Sequence, residues 1–163
     1  MPGRLQFETF NLHSHGGLLH FHGCLQVKIG ETVIDYPNDV CINDWVAALA
    51  NLRQEIIFSN RGGDPTAFFI DGQQSWPVLE TIRMADSLRI AMLHEDVVMA
   101  KCLISIPDFE VVFEEFLDHL AERAHLSHGD GRHRLLHELS HSRCEQFWSG
   151  KAGEGAPPGW EDS

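Results

Sequence analysis

The chain has 163 residues, of which 43% are hydrophobic and 22% are charged, and its formal net charge at pH 7 is −12. This length and composition are typical of one globular domain that buries a substantial core. No apolar run approaches the roughly 20 residues that span a bilayer, so we expect no membrane association. Because the first residues lack a signal-peptide pattern and the four cysteines match no zinc or redox motif, we expect a cytoplasmic protein.

The acidic residues are concentrated in the middle of the chain. Between Glu31 and Glu122, seventeen acidic residues stand against five basic ones, so this segment carries the whole net charge. A surface of this kind repels nucleic acid and acidic membranes and attracts basic proteins. Solubility alone is the simpler interpretation of the same charge, and both interpretations stay open at this point.

The N-terminal part of the chain predicts three β-strands. Leu5–Leu12 and Leu18–Ile29 alternate in part between apolar and polar residues, and Thr32–Tyr36 follows a tight turn at Gly30. The sequence after Tyr36 is Pro-Asn-Asp, which predicts the end of the third strand, because proline cannot donate a hydrogen bond to a β-ladder.

A helix and four more strands follow. The helix has Asn43 or Asp44 as its predicted N-cap, and its apolar residues recur at helical spacing from Trp45 to Ile56. Turn residues then separate four strands, which we expect to form a meander. These strands are Thr66–Ile70, Val78–Arg83, Ser87–Leu93 and Val97–Ile106.

A second helix at Asp108–Ala124 gives the clearest structural signal in the chain. Ser105 and Pro107 are typical of a helix start, and the apolar residues from Phe109 onward form one stripe. Together with the strands, the two amphipathic helices predict an α+β fold. We expect a mainly antiparallel sheet with both helices packed on one face.

The end of the chain differs in composition from the rest. We expect a single domain over residues 1–126, an appended helical segment over residues 127–149 and a flexible tail over residues 150–163. The boundary rests on Ser127–Gly131, whose two glycines predict a flexible break before a further helix at Arg132–Trp148. The tail is rich in Gly and Pro, which disfavour a packed structure.

One motif has the form of a zinc-peptidase site. His137, Glu138 and His141 match HExxH, in which two histidines one helical turn apart bind zinc and the glutamate is the general base. A helix docked through Leu135 would instead point the histidines toward water. A third ligand is also missing at the expected downstream spacing. The sequence therefore predicts no metal and no other cofactor, with a small zinc hydrolase using His137 and His141 as the alternative.

The remaining candidates are surface residues that a protein partner could contact. The acidic residues of the second helix lie off its apolar stripe, and Trp76 precedes Pro77 in a loop. The simpler interpretations are a solvated helix face and a tryptophan at the rim of the core. The predicted partner-binding residues are Glu110, Glu114, Glu115, Asp118, Glu122, Asp71 and Trp76.

The order of apolar segments over about residues 18–124 points to a family. The segments are the strand pair Leu25–Ile34, the helix Trp45–Phe58, Phe68–Asp71, Ser87–Leu93, Cys102–Ile106 and the helix Phe109–Ala124. This order resembles that of small bacterial immunity proteins of polymorphic toxin systems, in particular the immunity family of the cell-wall-associated toxin. The resemblance implies a protein without catalytic activity that binds one cognate toxin domain, often a nuclease, and blocks it.

We therefore expect an acidic, non-enzymatic binding protein whose partner is a cognate toxin or another basic protein, and not a nucleic acid. The zinc hydrolase is the alternative from a different functional class. A third hypothesis is a domain that binds a protein partner outside toxin systems.

Overall fold

The computed structural model describes residues 5–14, 21–58, 64–70, 77–125 and 128–138. The strands are β1 (Leu5–Ser14), β2 (Phe21–Ile29), β3 (Thr32–Cys41), β4 (Thr66–Phe69), β5 (Pro77–Met84), β6 (Ser87–His94) and β7 (Val97–Ser105). The helices are α1 (Ile42–Leu52), which continues into a π-helix at Arg53–Phe58, α2 (Ile106–Arg123) and α3 (His128–Glu138).

The strands form two antiparallel sheets. The first sheet contains β1, β2 and β3 in that order, and the second contains β4, β5, β6 and β7 in that order. The α+β class, the antiparallel pairing and the four-strand meander are therefore confirmed. The strands are divided between two hydrogen-bonded sheets, where the sequence pattern predicted one.

The helices α1 and α2 each contact both sheets, so the two sheets share one core. The helix α1 contacts β2 and β4, and α2 contacts β1 and β7. Trp45 of α1 is fully buried, and its ring centroid lies 4.8 Å from that of Tyr36 and 6.5 Å from that of Phe7. The ring of Phe7 stacks on Phe116 of α2 with a centroid distance of 5.2 Å. These rings join the first sheet to both helices.

The strand β3 is longer than predicted, because it continues through Pro37 to Cys41. It is an edge strand of the first sheet, where a residue without an N–H is tolerated. The register of the facing strand shifts between Gly23 and Leu25, and the thiol of Cys24 donates to the carbonyl oxygen of Pro37 at 3.1 Å. The irregular segment is thus part of the strand and does not end it.

The prediction that Asn43 or Asp44 caps α1 is wrong, because the helix begins at Ile42 and both residues lie in its first turn. Asn43 is only 6% exposed, and its Oδ1 accepts a hydrogen bond of 2.7 Å from the backbone N–H of Phe21. This polar residue therefore ties the start of α1 to the start of β2.

The π-helix after α1 is fixed at its end by a side chain from the second sheet. Arg83 of β5 donates through Nη1 to the carbonyl oxygens of Ile56 and Ile57, at 3.3 and 3.1 Å. Carbonyl groups in the last turn of a helix lack partners within the helix itself. The arginine supplies those partners and fixes the π-helix to β5.

The end of α2 contacts β1 at a bulge in that strand. The register of β1 shifts after Phe10, where Asn11 has a φ of 53°. On the facing strand, a Cβ atom at Gly23 would lie 2.9 Å from the carbonyl oxygen of Phe10, so the close approach requires glycine. Arg123 donates through Nη2 to the carbonyl oxygen of Leu12 at 2.9 Å. The end of α2 is thereby held against β1.

The helix α2 begins as the sequence predicts, although two residues earlier. Ser105 is its N-cap, and the hydroxyl oxygen of Ser105 accepts a hydrogen bond of 3.2 Å from the backbone N–H of Asp108. Pro107 lies in the first turn, where its missing N–H leaves no helical hydrogen bond unmade. The helix buries Phe109, Phe113, Phe116, Leu117, Leu120 and Ala121.

The helix α3 begins earlier than predicted. It starts at His128, so Gly129 and Gly131 lie inside the helix where the sequence predicted a flexible break. Leu135 is 1% exposed and belongs to the core, because α3 packs on α2. Packing thus outweighs the poor helix propensity of the two glycines. The division at residues 126, 149 and 150 stays a prediction, and residues 139–163 lie outside the described part of the chain.

We expect the variant Asn43→Ala to lose about 1–3 kcal/mol of unfolding free energy, because the N–H of Phe21 would be buried without an acceptor. Asn51→Ala is the matched control, since Asn51 lies on the same helix and is exposed. Urea unfolding followed by circular dichroism measures both variants. Similar losses in the two variants would contradict the structural role of Asn43.

Candidate functional site

The acidic side chains of α2 fall into two sets that differ in spacing. Residues four apart lie on adjacent turns of a helix, and residues seven apart lie nearly in line along it. The first set, which we call the arginine-bound row, comprises Glu110, Glu114 and Asp118. The second set, which we call the exposed stripe, comprises Asp108, Glu115 and Glu122.

Glu110, the first member of the arginine-bound row, binds Arg53 of the π-helix. Its Oε2 lies 3.0 Å from Nε of Arg53, and the two side chains are only 23% and 26% exposed. The guanidinium group also lies 4.7 Å from the ring centroid of Phe58 and 5.7 Å from that of Phe113. Partial burial strengthens both kinds of contact. The π-helix is held against α2 in this way.

Glu114 and Asp118 both bind Arg132 of α3. Nε and Nη2 of Arg132 donate to the two carboxylate oxygens of Asp118 at 2.5 and 2.6 Å, and Nη1 donates to Glu114 at 2.5 Å. The hydrogen bond with Asp118 is the largest cause of the raised pKa of Arg132. A two-pronged contact between a guanidinium and a carboxylate fixes orientation as well as distance. These carboxylates therefore position α3 on α2.

The five predicted acidic residues of α2 do not form one solvated face, which was the simpler interpretation of the sequence, and their role in partner binding stays a prediction. The side chain of Asp118 is 17% exposed and that of Glu114 is 42% exposed, and both are bound to Arg132. Glu110 is bound to Arg53. Only Glu115 and Glu122 of the five belong to the exposed stripe.

The exposed stripe runs along most of α2. The side chains of Asp108, Glu115 and Glu122 are exposed, and Val111 between them is 52% exposed. The stripe therefore combines three carboxylates with one accessible apolar side chain. A basic protein surface is attracted to such an arrangement.

A groove of about 400 Å³ separates the π-helix from α3. It is lined by Arg53, Gln54 and Phe58 on one side and by His133, Leu136 and His137 on the other. The rings of His133 and His137 are stacked, with centroids 6.2 Å apart and planes inclined by 16°. Leu135 is buried and both histidines are exposed. The helix α3 therefore packs on the core through Leu135, and its two histidines lie on the solvent side.

The HExxH motif lies only partly within the described residues. His137 lines the groove and Glu138 ends α3, but His141 lies outside the described part of the chain. Among the described residues, no three His, Cys, Asp or Glu side chains are grouped closely enough to hold a metal ion. The zinc hydrolase stays a hypothesis. Asp71 and Trp76 also lie outside the described residues, so their role in partner binding stays a prediction.

Sequence reasoning predicted the hairpin between β6 and β7 but did not include it among the candidate binding surfaces. Glu95 and Asp96 form its turn with φ angles of 51° and 68°, as a tight two-residue hairpin requires. At its base, the hydroxyl of Tyr36 in β3 and Nε2 of His94 form a hydrogen bond of 2.6 Å. Burial raises the pKa of Tyr36. The sequence feature that could have indicated this surface is the apolar run Val97–Met99, because it breaks the alternation typical of a strand.

No protein-family model, curated protein or solved structure matches the chain. Within residues 5–14, 21–58, 64–70, 77–125 and 128–138, no helix combines the length and the apolar character that crossing a membrane demands. The resemblance to immunity proteins therefore stays a prediction.

The variant Arg132→Gln should loosen α3, because Glu114 and Asp118 lose their cationic partner. We expect the backbone amides of residues 128–138 to exchange with deuterium several-fold faster than in the wild type, and those of β6 to change little. Arg134→Gln is the matched control, since Arg134 is exposed on the same helix. Added salt should also speed exchange in the wild type by screening the ion pairs. Equal acceleration in both variants would show that Arg132 does not position α3.

His94 should make the stability depend on pH. Burial lowers its pKa, and the charge of Glu95 opposes this shift. The folded protein therefore binds this proton less readily than the unfolded chain, whose histidine has a pKa of about 6.5. The stabilising contribution is present above about pH 6.5 and is lost as the pH falls through the folded-state pKa.

Urea midpoints measured between about pH 7.5 and about pH 5 test this expectation. The midpoint of the wild type should fall with pH, and His94→Gln should reduce that fall. His119→Gln, which changes an exposed histidine of α2, is the matched control. Superimposable profiles for the wild type and His94→Gln would disprove the assignment.

Proposed function

We propose that the chain is an acidic protein-binding module without catalytic activity, which binds and neutralises a basic protein in the manner of an immunity protein. The observation that carries the proposal is the exposed stripe of α2. Asp108, Glu115 and Glu122 are exposed and lie along one line of this helix.

The net charge of the chain is a second argument for a basic partner. Concentrated charge of one sign destabilises a compact protein through self-repulsion. The net charge of −12 is therefore unfavourable for the chain alone, and a basic partner would relieve it.

A negative surface of this kind mainly increases the rate at which the chain associates with a basic protein. Complementary charges raise association rate constants from about 10⁵–10⁶ to as much as about 10⁸–10⁹ M⁻¹s⁻¹ at low salt. Rapid capture suits a protein that must block a toxin before the toxin acts. The carboxylates would then lie against the basic groups with which a nuclease holds its nucleic acid.

A pull-down from the native cell with the tagged full chain tests the proposal, with the captured protein identified by mass spectrometry. We expect a basic protein, held less tightly as salt is added. Expression of that protein alone should arrest growth, and co-expression of the chain should restore it. Capture of only neutral or acidic proteins, or growth arrest that the chain does not relieve, would refute the proposal.

Reversing two charges of the exposed stripe should weaken the complex. For Glu115→Lys with Glu122→Lys we expect at least about a tenfold loss of affinity, which is about 1.4 kcal/mol. Asp108 is left unchanged, because a lysine in the first turn would oppose the helix dipole. Calorimetric titration of the captured protein measures the affinity.

The matched control for this experiment is Asp64→Lys with Asp86→Lys. These residues are also exposed but lie outside α2, so the net charge changes equally while the exposed stripe is kept. The control should lose much less affinity. Equal losses in the two variants would show that only net charge matters and that the exposed stripe is not the contact surface.

A further inference from the structure

An apolar row crosses all four strands of the second sheet. Val98 of β7 pairs with Leu93 of β6, Leu93 pairs with Val78 of β5, and Val78 pairs with Phe69 of β4. Directly paired residues project from the same face of a sheet. These four side chains therefore lie side by side, and we call them the apolar row.

The apolar row is accessible, most of all at β7. Phe69, Val78 and Leu93 are half-buried, and Val98 is 54% exposed. Nine large apolar side chains are exposed among the described residues, and four of them belong to β7 alone. These four are Val97, Val98, Met99 and Leu103. Single exposed apolar residues are ordinary, but a contiguous group marks an interaction site.

A bulge in β7 adds Met99 to this exposed group. Val98 pairs with Leu93 and Ala100 pairs with Met92, which leaves Met99 without a facing residue. Bulges redirect side chains at the edges of sheets. Here the bulge places Met99, which is 45% exposed, beside Val98 at the end of the apolar row.

The edge of β7 is protected against pairing with a strand from another chain. A bulge and an exposed lysine both discourage such pairing, and β7 has them at Met99 and Lys101. The turn at Gly30 also approaches β7, since a Cβ atom there would lie 3.2 Å from the carbonyl oxygen of Lys101. The surface is therefore suited to side-chain docking on the face of the sheet.

The charges around the apolar row indicate the chemistry of a partner. Glu95 and Asp96 are exposed in the turn next to Val98, whereas Arg89 and Lys101 lie on the other side of the row. A basic partner would thus be oriented with its cationic groups over the turn. Two copies of the chain, each with a net charge of −12, repel each other.

We infer that the apolar row together with Met99 is a docking surface for a basic protein. An apolar cluster on the partner covers the row, and basic side chains of the partner lie over Glu95 and Asp96. This inference rests on the proposed function and adds to it a second contact surface, which supplies apolar burial where the exposed stripe supplies charge.

A display library of protein fragments encoded by the parent genome tests the inference, with the full chain as bait. The test variant is Val98→Ser with Met99→Ser, and the control is Val33→Ser with Met84→Ser. The control replaces the same two residue types, which are 48% and 52% exposed away from the apolar row. Circular dichroism and urea midpoints show whether both variants keep the fold.

Selected fragments should be basic and should bind the test variant at least about tenfold more weakly, as expected for loss of apolar anchors at the centre of an interface. Their affinity for the control should stay close to that of the wild type. Fragments that are weakened only by Glu115→Lys with Glu122→Lys would overturn the docking surface and leave the proposed function standing. Recovery of no basic fragment would overturn both.

Sedimentation equilibrium of the full chain tests the remaining alternative, in which a second copy of the chain covers the apolar row. We expect a monomer for the wild type and for both variants. A dimer that Val98→Ser with Met99→Ser dissociates would assign the apolar row to a second copy of the chain and would overturn the inference.

Discussion

Two small sheets share one core in this protein, and this constraint determines where the other elements lie. Each sheet has an apolar face that has to be buried against another layer of structure. The two long helices supply that layer for both sheets, and Trp45 is fully buried where the first sheet meets them. Because the inner faces are occupied by the core, a partner has to bind an outer surface, and the solvent side of α2 and the outer face of the second sheet are two such surfaces among the described residues.

The acidic residues of α2 fall into two sets, which their spacing along the helix separates. Glu110, Glu114 and Asp118 lie toward the π-helix and α3, and arginines from those elements bind them. Exposed ion pairs contribute little to stability in general, so the main effect here is to fix where the two elements lie. That α2 carries many acidic residues off its apolar stripe could be predicted from the sequence. The division into an arginine-bound row and an exposed stripe could not be predicted, because Arg53 and Arg132 approach α2 only in the folded chain.

The fold was predictable wherever local signals decide the structure. The hairpin turns, the meander and the Ser105 cap of α2 follow from residues that are neighbours in the sequence. Asn43 was misassigned because its hydrogen-bond partner Phe21 is distant in the sequence. The extension of β3 beyond Pro37 depends on its edge position, which emerges only when the sheet is assembled. The apolar row was missed for the same reason, since register between strands brings Val98 into line with three other strands.

The two proposed contact surfaces have different physical properties, and each would contribute a different part of the binding free energy. Charge on the exposed stripe of α2 acts over about a Debye length and mainly speeds encounter. Apolar side chains act only in contact, and burial of a few of them near the centre of an interface accounts for most of the affinity in typical complexes. The exposed stripe contains one accessible apolar side chain, Val111, whereas the second sheet offers Val98, Met99 and the rest of the apolar row. An acidic chain that relied on the stripe alone would bind many basic proteins weakly. In the proposed complex, an apolar surface whose shape the partner matches would add affinity to the fast, oriented encounter that charge provides.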